Sequence, residues 1–278
     1  MRESALVLVL ALAATPVLAA PDFEVSGIVV PTEDALEVRV DVRNTGDAPA
    51  APLTVAGELF GERREARLEG GLAPGQSGSV PLSFPLHVPR PGVHALPLLL
   101  EYPVDGPRDA AGNPPMASRR AYLLLALGGT AEPAVRLDVS PLRLDVRGDL
   151  AVGLESADGE PHRVRLRVFT ARGVRTDAPP FEVDVPARGR VASAVPLIRA
   201  GAPRGTPHWV LVVAEGTDGP LARTTVATAL VEVTPDPALL PGLRRPLAVL
   251  AVLLLAAAVV LEVRRARAAR ARSPGPAA

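Results

Sequence analysis

Short runs in which apolar and polar residues alternate fill most of the chain between residues 23 and 233. In the run Ala35–Arg43, the apolar residues Leu36, Val38, Val40 and Val42 take every second position. Successive side chains of a β-strand point to opposite faces, so residues at every second position share one face. This run therefore predicts a strand with one face in a hydrophobic core and the other in water.

Similar runs divide into two groups on either side of Gly128–Thr130. The first group predicts seven strands: Phe23–Val30, Ala35–Arg43, Pro52–Phe60, Gly61–Leu68, Ser79–Phe84, Val93–Tyr102 and Arg119–Leu127. The second group predicts eight: Val135–Val139, Leu142–Val146, Leu150–Leu154, Val164–Val168, Phe181–Val185, Val191–Leu197, Trp209–Ala214 and Ala222–Val233. Short strands joined by turn residues, with 31 prolines and 24 glycines in the chain, are typical of β-sandwiches. We predict an all-β protein with two tandem immunoglobulin-like sandwiches, over residues 20–129 and 130–234.

Two stretches of the first group carry a family resemblance. The sequence VRVDVRNTGDAPA (Val38–Ala50), followed by LAPGQSGSVPLSF (Leu72–Phe84), resembles the CARDB-type bacterial adhesion-related domains and their NEW3 relatives. The resemblance covers about residues 23–128. It implies an immunoglobulin-like sandwich on an exported protein, where such domains serve as spacers or binding modules. It implies no catalytic residues.

The sixteen residues of Pro246–Leu261, PLAVLAVLLLAAAVVL, carry no charge. A helix of this length spans about 24 Å, and flanking arginines extend its reach because their stems are apolar. We predict a single transmembrane helix over residues 246–263 that contacts membrane lipid, after a proline-rich stalk over 235–245. Its apolar surface is provided mainly by Pro246, Leu247, Leu250, Leu253, Leu254, Leu255, Val259, Val260 and Leu261.

The charges around this segment predict its orientation. The tail 264–278 holds five arginines, Arg264, Arg265, Arg267, Arg270 and Arg272, and no acidic residue. Because positive residues favour the cytoplasmic side, we predict a cytoplasmic tail and extracytoplasmic N-terminal domains. A removable sorting signal is the alternative for the whole C-terminal segment. The sequence also leaves open whether the membrane is the inner membrane of a Gram-negative cell or that at a Gram-positive surface.

Residues 1–19 have the features of a secretory signal peptide, with Arg2 ahead of an apolar run from Ala5 to Ala14. We predict cleavage after Ala19, and an uncleaved anchor is the alternative. Either reading predicts that the segment after residue 19 is exported.

Composition excludes several kinds of chemistry. The chain has no cysteine, which excludes disulfides and thiolate sites, and its 30 basic residues are all arginine, which excludes lysine-based catalysis. Residues 21–241 hold 28 acidic residues and 22 arginines, a net charge of −6. Such a surface does not favour nucleic acid, and no motif predicts a cofactor.

One loop, Asp105–Pro115, offers candidate metal ligands. Asp105, Asp109 and Asn113 carry side-chain oxygens that suit calcium. The spacing does not match the twelve-residue calcium loop, and ordinary turn chemistry is the alternative for the same residues.

Arg163, Arg165 and Arg167 alternate with apolar residues and share one strand face. This ladder is a candidate face for an anionic partner, and an ordinary solvated face balanced by nearby acids is the alternative. Trp209, the one tryptophan, is expected to pack in a core rather than to stack on a sugar.

No nucleophile motif or metal-binding histidine pair appears in the sequence. We therefore expect a non-enzymatic, membrane-anchored envelope protein that presents its domains to another protein. A module that binds cell-wall or surface glycan is the alternative. An enzyme is the third possibility that the sequence leaves open.

Overall fold

The computed structural model describes residues 20–86, 90–106 and 108–234, which contain sixteen β-strands and no helix. Seven strands form the first half: β1 (Phe23–Pro31), β2 (Ala35–Asn44), β3 (Leu53–Leu59), β4 (Glu62–Leu68), β5 (Ser77–Pro85), β6 (Gly92–Pro103) and β7 (Met116–Leu127). Nine form the second: β8 (Val135–Val139), β9 (Leu142–Leu144), β10 (Arg147–Ser156), β11 (His162–Phe169), β12 (Val174–Arg175), β13 (Phe181–Val185), β14 (Arg190–Arg199), β15 (Pro207–Gly216) and β16 (Thr224–Val233). The all-β prediction is confirmed for this part of the chain.

The first sandwich places the three-stranded sheet β1-β2-β5 against the four-stranded sheet β4-β3-β6-β7. The alternate residues of β2 that the sequence assigned to one face, Leu36, Val38, Val40 and Val42, are all at most 1% exposed. They join one core with Phe84 and residues of β3, β6 and β7. Period-two burial from both sheets thus builds this core.

The second sandwich pairs the sheet β12-β14-β10-β8 with the five-stranded sheet β13-β11-β15-β16-β9. Its core contains alternate residues of β10, β11, β14, β15 and β16. The pairing of β9 with β16 is parallel, whereas the neighbouring strands in the other described pairs are antiparallel. Strand β12 has two residues, too few for any alternation to reveal it in the sequence.

The turn after β2 is fixed by a buried side chain. Asn44 is fully buried, and its Nδ2 donates to the carbonyl oxygens of Ala48 (2.8 Å) and Leu72 (3.0 Å). Its Oδ1 accepts a hydrogen bond from the backbone N–H of Gly46 at 3.0 Å. This asparagine therefore ties the end of one strand to the segment that leads into β5.

The segments at both ends of the chain lie outside the described residues. These are the predicted signal peptide (1–19), stalk (235–245), transmembrane helix (246–263) and basic tail (264–278). Across residues 20–234, with their two short gaps, the structure contains no helix with the length and apolar character of a membrane span.

Candidate functional site

The two sandwiches pack directly against each other within one compact unit. Outward-facing Ala95 of β6 lies against Leu211 and Val213 of β15, and all three are at most 2% exposed. Phe169 and Val226 pack around them. The sandwiches thus share a small third core between the outer faces of their sheets.

Arg90, just before β6, binds the loop that follows β15. Its guanidinium donates to the carbonyl oxygens of Gly216 (2.7 Å) and Thr217 (3.2 Å). Hydrogen bonds from a guanidinium are stronger than those between neutral groups. The first sandwich therefore holds the 217–223 loop of the second through a charged side chain.

Backbone hydrogen bonds join the same two segments. The N–H of Val93 donates to the Ala222 carbonyl oxygen at 2.9 Å, and the N–H of Ala222 donates to the Pro91 carbonyl oxygen at 2.7 Å. Gly92 lies between them with φ at +132°, and an added Cβ would overlap the backbone of Ala222. We call the contacts of residues 90–93 with residues 216–222 the clasp.

Two arginines of β7 extend this interface. Arg120 donates two hydrogen bonds, at 2.8 and 2.6 Å, to the carbonyl oxygen of Thr170, and burial lowers the pKa of Arg120 to about 10. Arg119 lies over the ring of Trp209, 4.6 Å from its centroid, and pairs with Asp22 at 3.0 Å. Trp209 is half-buried on the outer face of β15 and belongs to neither sandwich core, so the expectation of core packing was wrong.

A charged cleft of about 890 Å³ opens beside the clasp. Within it, Arg167 pairs with Glu215 at 2.8 Å and with Glu58 of the first sandwich at 3.5 Å. Its Nε is buried and has no hydrogen-bond partner among the described residues. The cleft is lined by both signs of charge, with Arg90, Arg165, Arg167 and Arg223 against Glu58, Glu182 and Glu215.

The structure places the arginine ladder on the outer face of β11, as the sequence predicted, but with acidic partners. Arg163 binds Asp184 at 2.8 Å and Arg165 binds Glu182 at 3.3 Å, both on the adjacent β13. Arg167 contacts the two glutamates of the cleft instead. An anionic partner would have to compete with these carboxylates, and its binding here stays a prediction.

The candidate calcium loop is organised by its own hydrogen bonds. Asp109 Oδ1 accepts from the backbone N–H groups of Ala111 (2.9 Å) and Asn113 (2.8 Å), and Oδ2 accepts from Asn113 Nδ2 at 3.1 Å. These bonds, led by those from Asn113, lower the pKa of Asp109. Asp105 takes no part in them. Among the described residues, no group of three acidic or histidine side chains is placed to hold a metal ion, and calcium binding stays a prediction.

His162 is a feature that sequence reasoning missed. Its ring lies between two carboxylates from different loops, with Nε2 2.7 Å from Asp158 Oδ1 and Nδ1 3.0 Å from Asp218 Oδ2. The other described histidines bind neutral groups: His94 contacts the Arg90 carbonyl oxygen, and His208 contacts the Thr206 hydroxyl. A sequence shows no spacing signal for His162, because Asp218 is far away along the chain.

Strand β1 is an open sheet edge without charge over most of its length. It pairs with β2 on one side, and residues Val25–Pro31 (VSGIVVP) contain no charged side chain. On its outer face, Ile28 is 58% exposed and Val30 is 49% exposed. An uncharged edge strand with exposed apolar residues is a template for another strand.

Most of the other described edges are protected against such pairing. Strand β4 carries five charged residues, β5 contains two prolines, and β8 and β13 each alternate charged with apolar residues. Strands β9 and β12 are three and two residues long. Strand β7 is uncharged beyond Arg120, but its first half lies against the second sandwich through Arg119, Arg120 and Ser118. Strand β1, which ends in Pro31, is therefore a long edge that charge leaves open. The uncharged second half of β7, where Leu124 is 50% exposed, is another such edge among the described strands.

No family model matches this chain, and no curated protein matches it. Similar solved structures include trypsin-activated alpha-2-macroglobulin from Escherichia coli, with 10% identity over 77% of this chain and 18% of that chain, and a TM-score of 0.31. A protein of unknown function from Porphyromonas gingivalis has 18% identity over 76% of this chain and 99% of its own, with a TM-score of 0.29. The FN1–FN3 domains of chicken CNTN1 have 14% identity over 77% of this chain and 66% of theirs, with a TM-score of 0.19. At these values the similarities carry no argument about function.

Proposed function

We propose that this chain is a non-enzymatic interaction or scaffold protein of a bacterial envelope, which presents two immunoglobulin-like sandwiches to a partner protein. The proposal includes a cleaved signal, a C-terminal transmembrane helix and a cytoplasmic basic tail. The expected mode of binding is strand addition, in which an extended segment of the partner pairs with the open edge of β1.

The observation that carries the proposal is the contrast between β1 and the charged, short or proline-interrupted edges β4, β5, β8, β9, β12 and β13. Edge strands tend to be charged, short, interrupted by proline or covered, because unprotected edges aggregate. Here seven uncharged residues of β1 keep an open edge with Ile28 and Val30 in solvent. A binding strand would satisfy the free backbone groups of this edge and cover both side chains.

The packing of the sandwiches supports a presenting role. The shared core around Leu211 and the clasp hold the second sandwich against the first. A partner bound at β1 would therefore be held at a fixed distance from the second sandwich, as a scaffold requires.

The test is site-specific photo-crosslinking of the full-length protein in its native membrane. A photoreactive residue replaces Ile28 on β1 in one variant and the exposed Ser83 on the proline-containing β5 in the matched control. We expect capture of the same envelope protein from position 28 only. Adding Val30→Lys to the variant with the photoreactive residue at position 28 should weaken that capture by up to about fivefold, since an apolar cross-strand contact worth about 0.2–1 kcal/mol is replaced by a charge.

Equal capture from positions 28 and 83, or capture from position 28 that Val30→Lys leaves unchanged, would refute strand addition at β1. Recovery of cell-wall glycan in place of protein would favour the alternative proposal, a glycan-binding or adhesion module. A hydrolytic or transfer activity of the purified chain would contradict the non-enzymatic proposal.

A further inference from the structure

His162 occupies a position that suits a charged imidazolium. The side chain is 7% exposed, and each ring nitrogen lies within hydrogen-bond distance of a carboxylate, Asp158 at 2.7 Å and Asp218 at 3.0 Å. An ionised carboxylate only accepts hydrogen bonds, and an imidazole donates from both nitrogens only when it is protonated. A neutral ring would satisfy one of these carboxylates and present a lone pair to the other.

The remaining charged groups around the ring are already paired. Arg223 donates to Asp158 Oδ2 at 3.3 Å, and the backbone N–H of Glu160 donates to Asp158 Oδ1 at 3.0 Å. On the adjacent β13, Asp184 and Glu182 are bound by the arginines Arg163 and Arg165. Asp158 and Asp218 are thus the charged groups that act directly on the ring.

The ring environment shifts two titrations in opposite directions. Burial by itself lowers the pKa of His162, but hydrogen bonds and charges from Asp158 and Asp218 together outweigh it, so the pKa is raised above 6.5. The hydrogen bond from His162 is the main cause that lowers the pKa of Asp158. The protonated ring therefore stabilises the folded loops, and the carboxylates hold the proton on the ring.

The two carboxylates belong to different loops, and one of these loops forms part of the clasp. Asp158 lies in the turn between β10 and β11, whereas Asp218 lies in the 217–223 loop that Arg90 and Val93 bind. The Asp218 carboxylate is hydrogen-bonded to His162, while Asp158 is also held by Arg223. Loss of the ring proton would therefore release the Asp218 side first.

We propose that His162, set between Asp158 and Asp218, is a pH-sensitive latch that fixes the 217–223 loop and with it the clasp between the sandwiches. Because the histidine pKa is higher in the folded chain, the stabilisation is complete below about pH 6.5, the unfolded value, and is lost as pH rises through the folded pKa. Because the pKa of Asp158 is lowered in the folded chain, its part of the stabilisation is present above the unfolded aspartate pKa and is lost only as the pH falls below that value. The inference goes beyond the proposed function and does not depend on what binds β1.

The test is hydrogen exchange with mass spectrometry on the full-length protein in detergent, at about pH 5.5 and about pH 8.5. Rates for peptides covering 90–94 and 216–223 are corrected for the intrinsic pH dependence of exchange. We expect the corrected exchange to rise at the higher pH, by up to about tenfold for each unit by which the histidine pKa is raised. His162→Gln should remove this pH dependence, whereas His208→Gln, which changes a half-buried histidine bound to Thr206, should retain it.

A second measurement keeps the inference testable if His162→Gln folds poorly. An NMR titration of the wild-type ring should give a pKa above 6.5, and Asp218→Asn should lower it because one anionic acceptor is lost. A pKa at or below 6.5, or a pH response of the clasp peptides that survives His162→Gln, would overturn the latch.

Discussion

Replacing Leu211 with alanine tests whether the small core between the sandwiches couples their folding. Leu211 is fully buried, yet it lies outside both sandwich cores and contacts Ala95, Val213 and the partly buried Phe169 and Val226. The substitution removes three carbon atoms, worth about 2.4 kcal/mol by transfer alone. With the residual cavity, the expected loss lies at about 2–5 kcal/mol.

Because this loss falls on the interface, we expect it to separate the unfolding of the two sandwiches. Calorimetry of the wild-type chain should show one cooperative transition for residues 20–234, and Leu211→Ala should show two. The matched control is Leu166→Ala, which removes the same atoms from a fully buried site in the core of the second sandwich. Leu166→Ala should lower the free energy of unfolding by a similar amount, but the loss should fall on the second sandwich rather than on the interface.

A lowered melting temperature for Leu211→Ala with a single transition of unchanged cooperativity would refute coupling through the shared core. Wild-type unfolding in two steps would also refute it, since the shared core would then contribute little to coupling. Loss of less than about 1 kcal/mol would mean that the site collapses around the smaller side chain.

Two further substitutions test local features of the fold. Asn44→Ala removes three hydrogen bonds of a buried side chain, each worth about 0.5–1.5 kcal/mol, so we expect a loss of about 2–4 kcal/mol in denaturant titrations. Asn113→Ala, at an exposed asparagine, should cost clearly less, and equal losses would contradict the role of Asn44. Gly92→Ala combines a φ of +132° with overlap on Ala222, so it should destabilise by about 1–3 kcal/mol and raise hydrogen exchange in the clasp. The control is Gly75→Ala, because Gly75 has a φ of +77° and open space where the added Cβ would lie, so this variant measures the cost of the backbone conformation alone. Equal destabilisation by Gly92→Ala and Gly75→Ala would show that the close approach to Ala222 contributes nothing.

Period-two alternation by itself determined the strands and the inward faces of both sandwiches. Val38 and Val40 of β2, and Val164 and Leu166 of β11, are all fully buried, because alternate residues of a strand must face the same way. The turn at Asn44 likewise has a local cause, since asparagine and glycine tolerate the backbone angles of turns. The two-residue β12 could not be predicted from the sequence, because two residues carry no period.

What faces the outer side of each sheet was decided only by the tertiary structure. The sequence places Arg167 and Trp209 on strands in which apolar and polar residues alternate. The packing of the two sandwiches then sets Arg167 against Glu58 and Trp209 beneath Arg119. His162 and Asp218 are 56 residues apart along the chain, and they meet only because β11 and β15 are neighbours in one sheet. Alternation specifies which side of a strand a residue occupies, whereas the group that meets it there depends on long-range packing between sheets.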